Sequence, residues 1–73
     1  MTDIDWYVNA SLVGAGHVYC AGSLAQCVRR WNRLSEQEKS AAFIKLLRAT
    51  DGYIRVERAE IELLAAQPGL SKV

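Results

Sequence analysis

The chain is poor in the residues that mark several classes of protein. It has one proline and two cysteines in 73 residues, while 51% of its residues are hydrophobic. This composition excludes an intrinsically disordered chain and a small scaffold held together by disulfides. No stretch of about 18 apolar residues runs without a charge, which also excludes a membrane-spanning helix. The first five residues are acidic and lack the basic segment of a signal peptide, so we expect a cytoplasmic protein.

Residues that carry chemistry are also few. The single histidine, His17, forms with Cys20 and Cys27 a spacing that matches no common zinc site, and a fourth ligand is not evident. No nucleophile with an orienting carboxylate accompanies the histidine, and Gly14-Ala15-Gly16 is too short for a phosphate-binding loop. We therefore expect two reduced thiols, no metal, no cofactor and no enzymatic activity.

Residues 4–13 carry the clearest local pattern. Apolar and polar side chains alternate there with a period of two, which predicts a half-buried strand. Gly14-Ala15-Gly16 then predicts a three-residue loop that leads into a second strand over residues 17–20. This arrangement places His17 and Cys20 on opposite faces of the sheet. The predicted pairs are Val13 with His17, Leu12 with Val18, Ser11 with Tyr19 and Ala10 with Cys20.

Two helices are predicted next. Ser23 is a good N-cap, and an apolar stripe follows at helical spacing. Ser35 and Glu38 form a capping box that begins a second helix, which the pattern extends to about Thr50 before Asp51-Gly52 ends it. The first stripe is Leu24, Cys27, Val28, Trp31 and Leu34, and the second helix would bury Phe43, Ile44, Leu46 and Leu47.

The last third of the chain predicts a short strand over residues 53–56, with Ile54 and Val56 inward, and a helix over residues 59–67. Pro68-Gly69 ends that helix, and we expect residues 69–73 to fray. The element order is then β-β-α-α-β-α in one domain, residues 1–73. The predicted fold class is α+β, with helices packed on one face of a small antiparallel sheet.

A basic surface is predicted on the first helix, where Arg29, Arg30 and Arg33 share one side with Gln26. Residues 29–48 contain six basic and two acidic side chains, so their net charge is +4. This side is open to three interpretations: a solvated helix face, a site for an acidic protein surface, or a site for nucleic-acid phosphates.

A second candidate surface is the outer sheet face, on which the predicted hairpin gathers tyrosines beside the histidine. Tyrosine, arginine and histidine are common in binding surfaces. The same residues could instead be ordinary cross-strand pairs, or a platform on which single-stranded bases stack. The residues predicted on this face are Tyr7, Asn9, Ser11, Val13, His17 and Tyr19, joined by Tyr53 and Arg55 if the third strand belongs to the sheet.

These observations favour a non-enzymatic interaction protein. It would cover a site on a protein partner as an inhibitor or adaptor, as a homodimer or in a heterocomplex, and without contact to a membrane. Its size also suggests a phage- or plasmid-borne inhibitor of a host defence. The alternative is a nucleic-acid-binding regulator that uses Arg29, Arg30 and Arg33. The predicted partner-binding residues are Tyr7, His17, Tyr19, Tyr53, Arg55, Arg29, Arg30 and Arg33.

Overall fold

Four antiparallel strands form one sheet in the order β2-β1-β3-β4 in a computed structural model that describes residues 4–47 and 52–72. Strand β1 pairs with β2 and β3, and β3 also pairs with β4, so β2 and β4 are the edges. The elements are β1 (Asn9–Gly14), β2 (His17–Ser23), α1 (Leu24–Trp31), α2 (Glu36–Ala41), β3 (Ala42–Leu47), β4 (Tyr53–Val56), α3 (Arg58–Ala65) and a final 3-10 turn (Pro68–Lys72).

The α+β class predicted from the sequence is confirmed, with one strand more than expected. Helices α1 and α3 contact each other and pack on the same face of the sheet. Leu12, Ile44 and Ile61 are completely buried between these layers. The topology is that of two ββα units side by side, β1-β2-α1 and β3-β4-α3, with β1 and β3 meeting in the centre. No helix within the described ranges is long and apolar enough to cross a bilayer.

The N-terminal hairpin has a different register from the one predicted. Strand β1 begins at Asn9, and the loop is the dipeptide Ala15-Gly16, whose two φ angles are 50° and 79°. Two left-handed residues match the twist of a tight hairpin, so Gly14 pairs with His17. Farther along, Leu12 pairs with Cys20 and Val13 with Val18.

The shift between these pairs leaves Tyr19 as the extra residue of a β-bulge. Because Leu12 and Gly14 lie on the same face of β1, their partners Cys20 and His17 share that face. The prediction that His17 and Cys20 lie on opposite faces was therefore wrong. The alternation itself is confirmed, since Trp6, Ala10 and Leu12 are buried.

Helix α1 begins as predicted. The Ser23 hydroxyl accepts a hydrogen bond from the Gln26 amide at 3.3 Å, and the Gln26 side chain accepts one from the Ser23 amide at 3.0 Å. This reciprocal cap fixes the direction in which the helix leaves β2. All five members of the predicted stripe are buried: Leu24, Cys27, Val28, Trp31 and Leu34.

Helix α2 has the predicted start but not the predicted end. Ser35 and Glu38 form the capping box, yet the helix ends at Ala41, where the predicted helix continued to about Thr50. Ala42 is extended and begins β3, which fills the space between β1 and β4. Ile44 is buried as expected, whereas Leu47 is exposed on the strand. Residues 48–50 of the predicted helix, and Asp51, lie outside the described residues.

The C-terminal part differs from the prediction in the exposure of Ile54 and in the last residues. Strand β4 joins the sheet beside β3 and buries Val56, although Ile54 stays half-exposed at the edge. The segment predicted to fray is instead held down over Pro68–Lys72, because Leu70 is buried and its carbonyl oxygen accepts a hydrogen bond from Arg29 Nη2 at 2.9 Å. Val73 lies outside the described residues.

Candidate functional site

One face of the sheet has no helix of the described chain packed on it. The helices cover the face that carries Leu12 and Ile44, so the alternate residues of each strand point to the other side. We call this surface the open face. Its described members include Ser11, Val13, Val18, Ala21, Phe43, Lys45, Leu47, Tyr53 and Arg55.

An apolar row crosses the open face. Val13 pairs with Val18 on one side and with Phe43 on the other, so three strands contribute to it. Val18 is 68% exposed at the edge, while Val13 and Phe43 are half-buried by their neighbours. Leu47 and its cross-strand partner Tyr53 extend the apolar surface, at 46% and 49% exposure. Apolar side chains this exposed are typical of a surface that a partner covers.

Two cations lie over the aromatic rings of the open face. The Arg55 guanidinium is 4.0 Å from the centroid of Phe43, and Lys45 Nζ is 4.7 Å from that of Tyr53. Arg55 also forms an ion pair with Glu57. Lys45 and Arg55 are themselves cross-strand partners, so their charges stand side by side. The rings orient both cations and give the apolar surface a positive centre.

The structure brings together only some of the predicted sheet residues. Tyr53 and Arg55 lie on the open face, as predicted for a strand that joins the sheet. Tyr7 is 71% exposed in the turn before β1, where its amide donates to Asp5 Oδ1 at 3.1 Å. Tyr19 packs against the buried core, with its ring centroid 6.2 Å from that of His17. The bulge at Tyr19 therefore separates this pair from the open face.

Three residues of the open face were missed by the sequence reasoning because β3 was predicted as a helix: Phe43, Lys45 and Leu47. Only Lys45 interrupts the apolar run over residues 42–47, so the alternation that indicates a strand is not visible in the sequence. Val18 was missed for a different reason. The predicted register placed it on the core face, and the two-residue loop turns it outward.

The predicted arginine surface surrounds a shallow concavity of about 290 Å³. Arg29, Arg30 and Arg33 line it together with Gln26 of α1 and Cys20 of β2. Arg29 is oriented by its hydrogen bond to the Leu70 carbonyl oxygen. Three guanidinium groups around one concavity favour an anionic ligand.

Cys27 lies behind this concavity. Its Sγ is 4.0 Å from the Cys20 carbonyl oxygen, to which the thiol donates a hydrogen bond. Burial raises the pKa of the Cys27 thiol to about 12, and the neighbouring Cys20 adds to the shift. At neutral pH the Cys27 side chain is therefore a protonated thiol.

An apolar groove of about 440 Å³ lies on the helical side of the sheet. It runs between the start of the described chain and α3, and two carboxylates, Asp5 and Glu60, stand at its rim. Leu63 of α3 is 67% exposed beside it. The apolar lining is Ile4, Val8, Leu24, Leu46, Val56, Leu63 and Leu64.

Comparison of the chain with protein-family models, with curated proteins and with solved structures found no match.

Proposed function

We propose that this chain is a small, non-enzymatic binding protein that covers a site on a protein partner with its open face. The observation that carries the proposal is the apolar row of Val13, Val18 and Phe43 beside the paired cations Lys45 and Arg55. Such a surface complements an apolar patch that carries carboxylates, because burial supplies affinity and the charges supply orientation.

A protein partner suits the open face better than a nucleic acid does. A nucleic-acid surface needs several cations spaced along a phosphate backbone. On the open face, Lys45 and Arg55 lie over rings, and Arg55 already shares its charge with Glu57. The aliphatic side chains Val13, Val18 and Leu47 offer no stacking surface for bases.

The proposal includes the role of inhibitor or adaptor, since a module of this size acts by occupying a surface. Its setting is the cytoplasm, where two free cysteines remain reduced. A homodimer formed through the open face and a phage- or plasmid-borne inhibitor of a host defence are versions of the same proposal.

A nucleic-acid-binding regulator is the second candidate, and it would use a different surface. The concavity lined by Arg29, Arg30 and Arg33 supports it, because three guanidinium groups there could hold phosphates. Titration with random DNA and RNA at two salt concentrations tests it. Binding that weakens steeply with salt favours this candidate, and no binding at low salt removes it.

The open face is tested with two matched substitutions. Val18→Asp places a carboxylate on it, while Leu63→Asp places one on α3, where the exposure of the native side chain is nearly the same, 68% against 67%. A partner is first isolated from the source cells and purified, and its Kd is then measured by calorimetry. We expect Val18→Asp to weaken binding by about 2 kcal/mol, roughly thirtyfold in Kd.

Leu63→Asp should leave that Kd unchanged, and both variants should keep the far-ultraviolet circular dichroism of the wild type. The proposal is wrong if Leu63→Asp abolishes binding and Val18→Asp does not. The homodimer version is tested on the same proteins by sedimentation. Val18→Asp should convert a wild-type dimer into a monomer, and a monomeric wild type removes this version.

A further inference from the structure

The two cysteines differ in their access to the arginine-lined concavity. Cys20 is half-buried on β2 and lines the concavity that opens to solvent between Arg29, Arg30 and Arg33. A small molecule that enters this concavity therefore meets the Cys20 side chain among guanidinium groups. A partly exposed cysteine beside cationic groups is the type of cysteine that reacts with disulfides.

The path of the chain from β2 into α1 places Cys27 directly behind Cys20. The reciprocal cap between Ser23 and Gln26 turns α1 back against β2, and one turn into the helix Cys27 points toward the strand. Its Sγ lies 4.0 Å from the Cys20 carbonyl oxygen. The two thiols are also hydrogen-bond neighbours through their side chains, while full burial closes Cys27 to solvent.

We propose that Cys20 and Cys27 form a reversible dithiol–disulfide pair, which an anionic small-molecule disulfide oxidises after capture in the arginine concavity. This modification site is independent of the binding function proposed for the open face, since the concavity and the open face share no residue. The nucleic-acid candidate would use the same arginines.

The chemistry proceeds by two thiol–disulfide exchanges. Cys20 loses its proton to water, and the resulting thiolate attacks one sulfur of the small disulfide, so a mixed disulfide forms and one small thiolate leaves and takes a proton from water. Cys27 then loses its proton to water and its sulfur attacks Cys20 Sγ, which expels the second small thiolate, and this thiolate also takes a proton from water. In total, the two protein thiols are oxidised to one disulfide and one small disulfide is reduced to two thiols.

The order of the two steps follows from the environments of the sulfurs. Cys27 is buried and its thiol is protonated at neutral pH, so it is a poor nucleophile toward an oxidant in solution. The Cys27 sulfur attacks only a sulfur that lies next to it. The Cys20 sulfur is in that position once Cys20 has formed the mixed disulfide. The first exchange therefore belongs to Cys20.

The charge of the oxidant is the second part of the proposal. Arg30 and Arg33 line the same concavity as Cys20. Their positive charge raises the rate at which an anionic ligand encounters the site. Glutathione disulfide, which carries carboxylates, is the anionic probe. The disulfide of 2-mercaptoethanol is the uncharged comparison, because its exchange chemistry is the same.

The experiment treats the reduced full chain with glutathione disulfide and follows intact mass and disulfide-linked peptides. We expect the wild type to lose two hydrogens and to yield a Cys20–Cys27 peptide. Cys27→Ser should stop at one glutathionyl group on Cys20. Cys20→Ser should stay unmodified while folded and react at Cys27 once guanidinium unfolds it.

Even if a variant fails to fold, peptide mapping of the oxidised wild type shows whether the Cys20–Cys27 disulfide forms. The pair is refuted by a stable mixed disulfide with no Cys20–Cys27 peptide, or by first modification at Cys27. For the charge, the double variant Arg30→Gln and Arg33→Gln should slow reaction with glutathione disulfide about tenfold. It should slow the reaction with the uncharged disulfide clearly less, because only the cysteine and not the oxidant then responds to the lost charge. An equal loss for both disulfides overturns the proposed capture.

Discussion

At the scale of single residues, Ala15 carries backbone strain in the N-terminal hairpin. Its φ is 50°, a region in which the Cβ of an L-residue crowds the following carbonyl oxygen. Gly16 beside it adopts φ 79° without such a cost. Asparagine occupies this first position of a tight hairpin loop far more readily than alanine does.

Ala15→Asn should therefore stabilise the protein. It creates the Asn-Gly loop that this geometry favours, and we expect the free energy of unfolding to rise by about 1 kcal/mol, measured by urea denaturation. Ala59→Asn in α3 is the control, because that alanine is helical and exposed. It should lower the free energy of unfolding by roughly 0.5 kcal/mol. Equal effects of the two substitutions would contradict the strain at Ala15.

At the scale of elements, burial of side chains in β3 distinguishes a strand from a helix over residues 42–47. A helix over these residues would bury both Ile44 and Leu47, whereas the strand buries Ile44 completely and leaves Leu47 46% exposed. Ile44 packs from the centre of the sheet, where it pairs with Leu12 and with Val56.

The two substitutions to alanine should consequently differ widely. We expect Ile44→Ala to lower the free energy of unfolding by about 3–4 kcal/mol, because it opens a cavity in the core. Leu47→Ala should cost less than about 1 kcal/mol, since most of that side chain's contact is on the surface. Thermal or urea denaturation measures both, and similar losses would indicate that residues 42–47 are not a strand.

The sequence predicts where these elements begin better than where they end. Capping residues such as Ser23 and Ser35 act through neighbours three positions away, so their signal is local and was confirmed. The end of α2 is decided by a distant partner, because β1 offers an unpaired strand edge to residues 42–47. Phe43 and Leu47 on the open face also add apolar residues to the outer positions, which hides the alternation typical of a strand.

The sequence also predicts the candidate site only in part. Arg29, Arg30 and Arg33 share one surface as predicted, although α1 ends at Trp31 and Arg33 lies in the turn that follows it. Tyr53 and Arg55 lie beside each other because both belong to one short strand. The position of Tyr19 was not predictable, since a bulge depends on loop conformation and on the fit of β2 against α1 rather than on the local pattern.

At the scale of the whole molecule, Cys27 links stability to alkaline pH. Its pKa is raised to about 12 in the folded state, so between its ordinary pKa near 9.0 and about 12 the unfolded chain loses a proton that the folded chain keeps. Stability from this group is fully present below the ordinary pKa and is lost as pH rises through that window.

We expect the free energy of unfolding to fall more steeply between about pH 8 and about pH 11 in the wild type than in Cys27→Ala. Denaturation curves at both pH values, recorded with a reductant present, measure the two slopes. Other groups titrate in the same window but are common to both proteins, so the difference isolates Cys27. Parallel slopes would mean that Cys27 ionises as easily in the folded state as in the unfolded one.

The meeting of β1 and β3 has a consequence for how the chain acquires its shape. Each ββα unit is built from neighbours in sequence, but the pairing between the units joins residues from the two halves of the chain. At Gly14 the approach is so close that a Cβ would stand 2.8 Å from Ala42 Cα. Local hairpins form quickly, whereas contacts between distant segments carry the loop-closure cost. We therefore expect the pairing of β1 with β3 to be the slow step of folding, because the core is incomplete until these two strands meet.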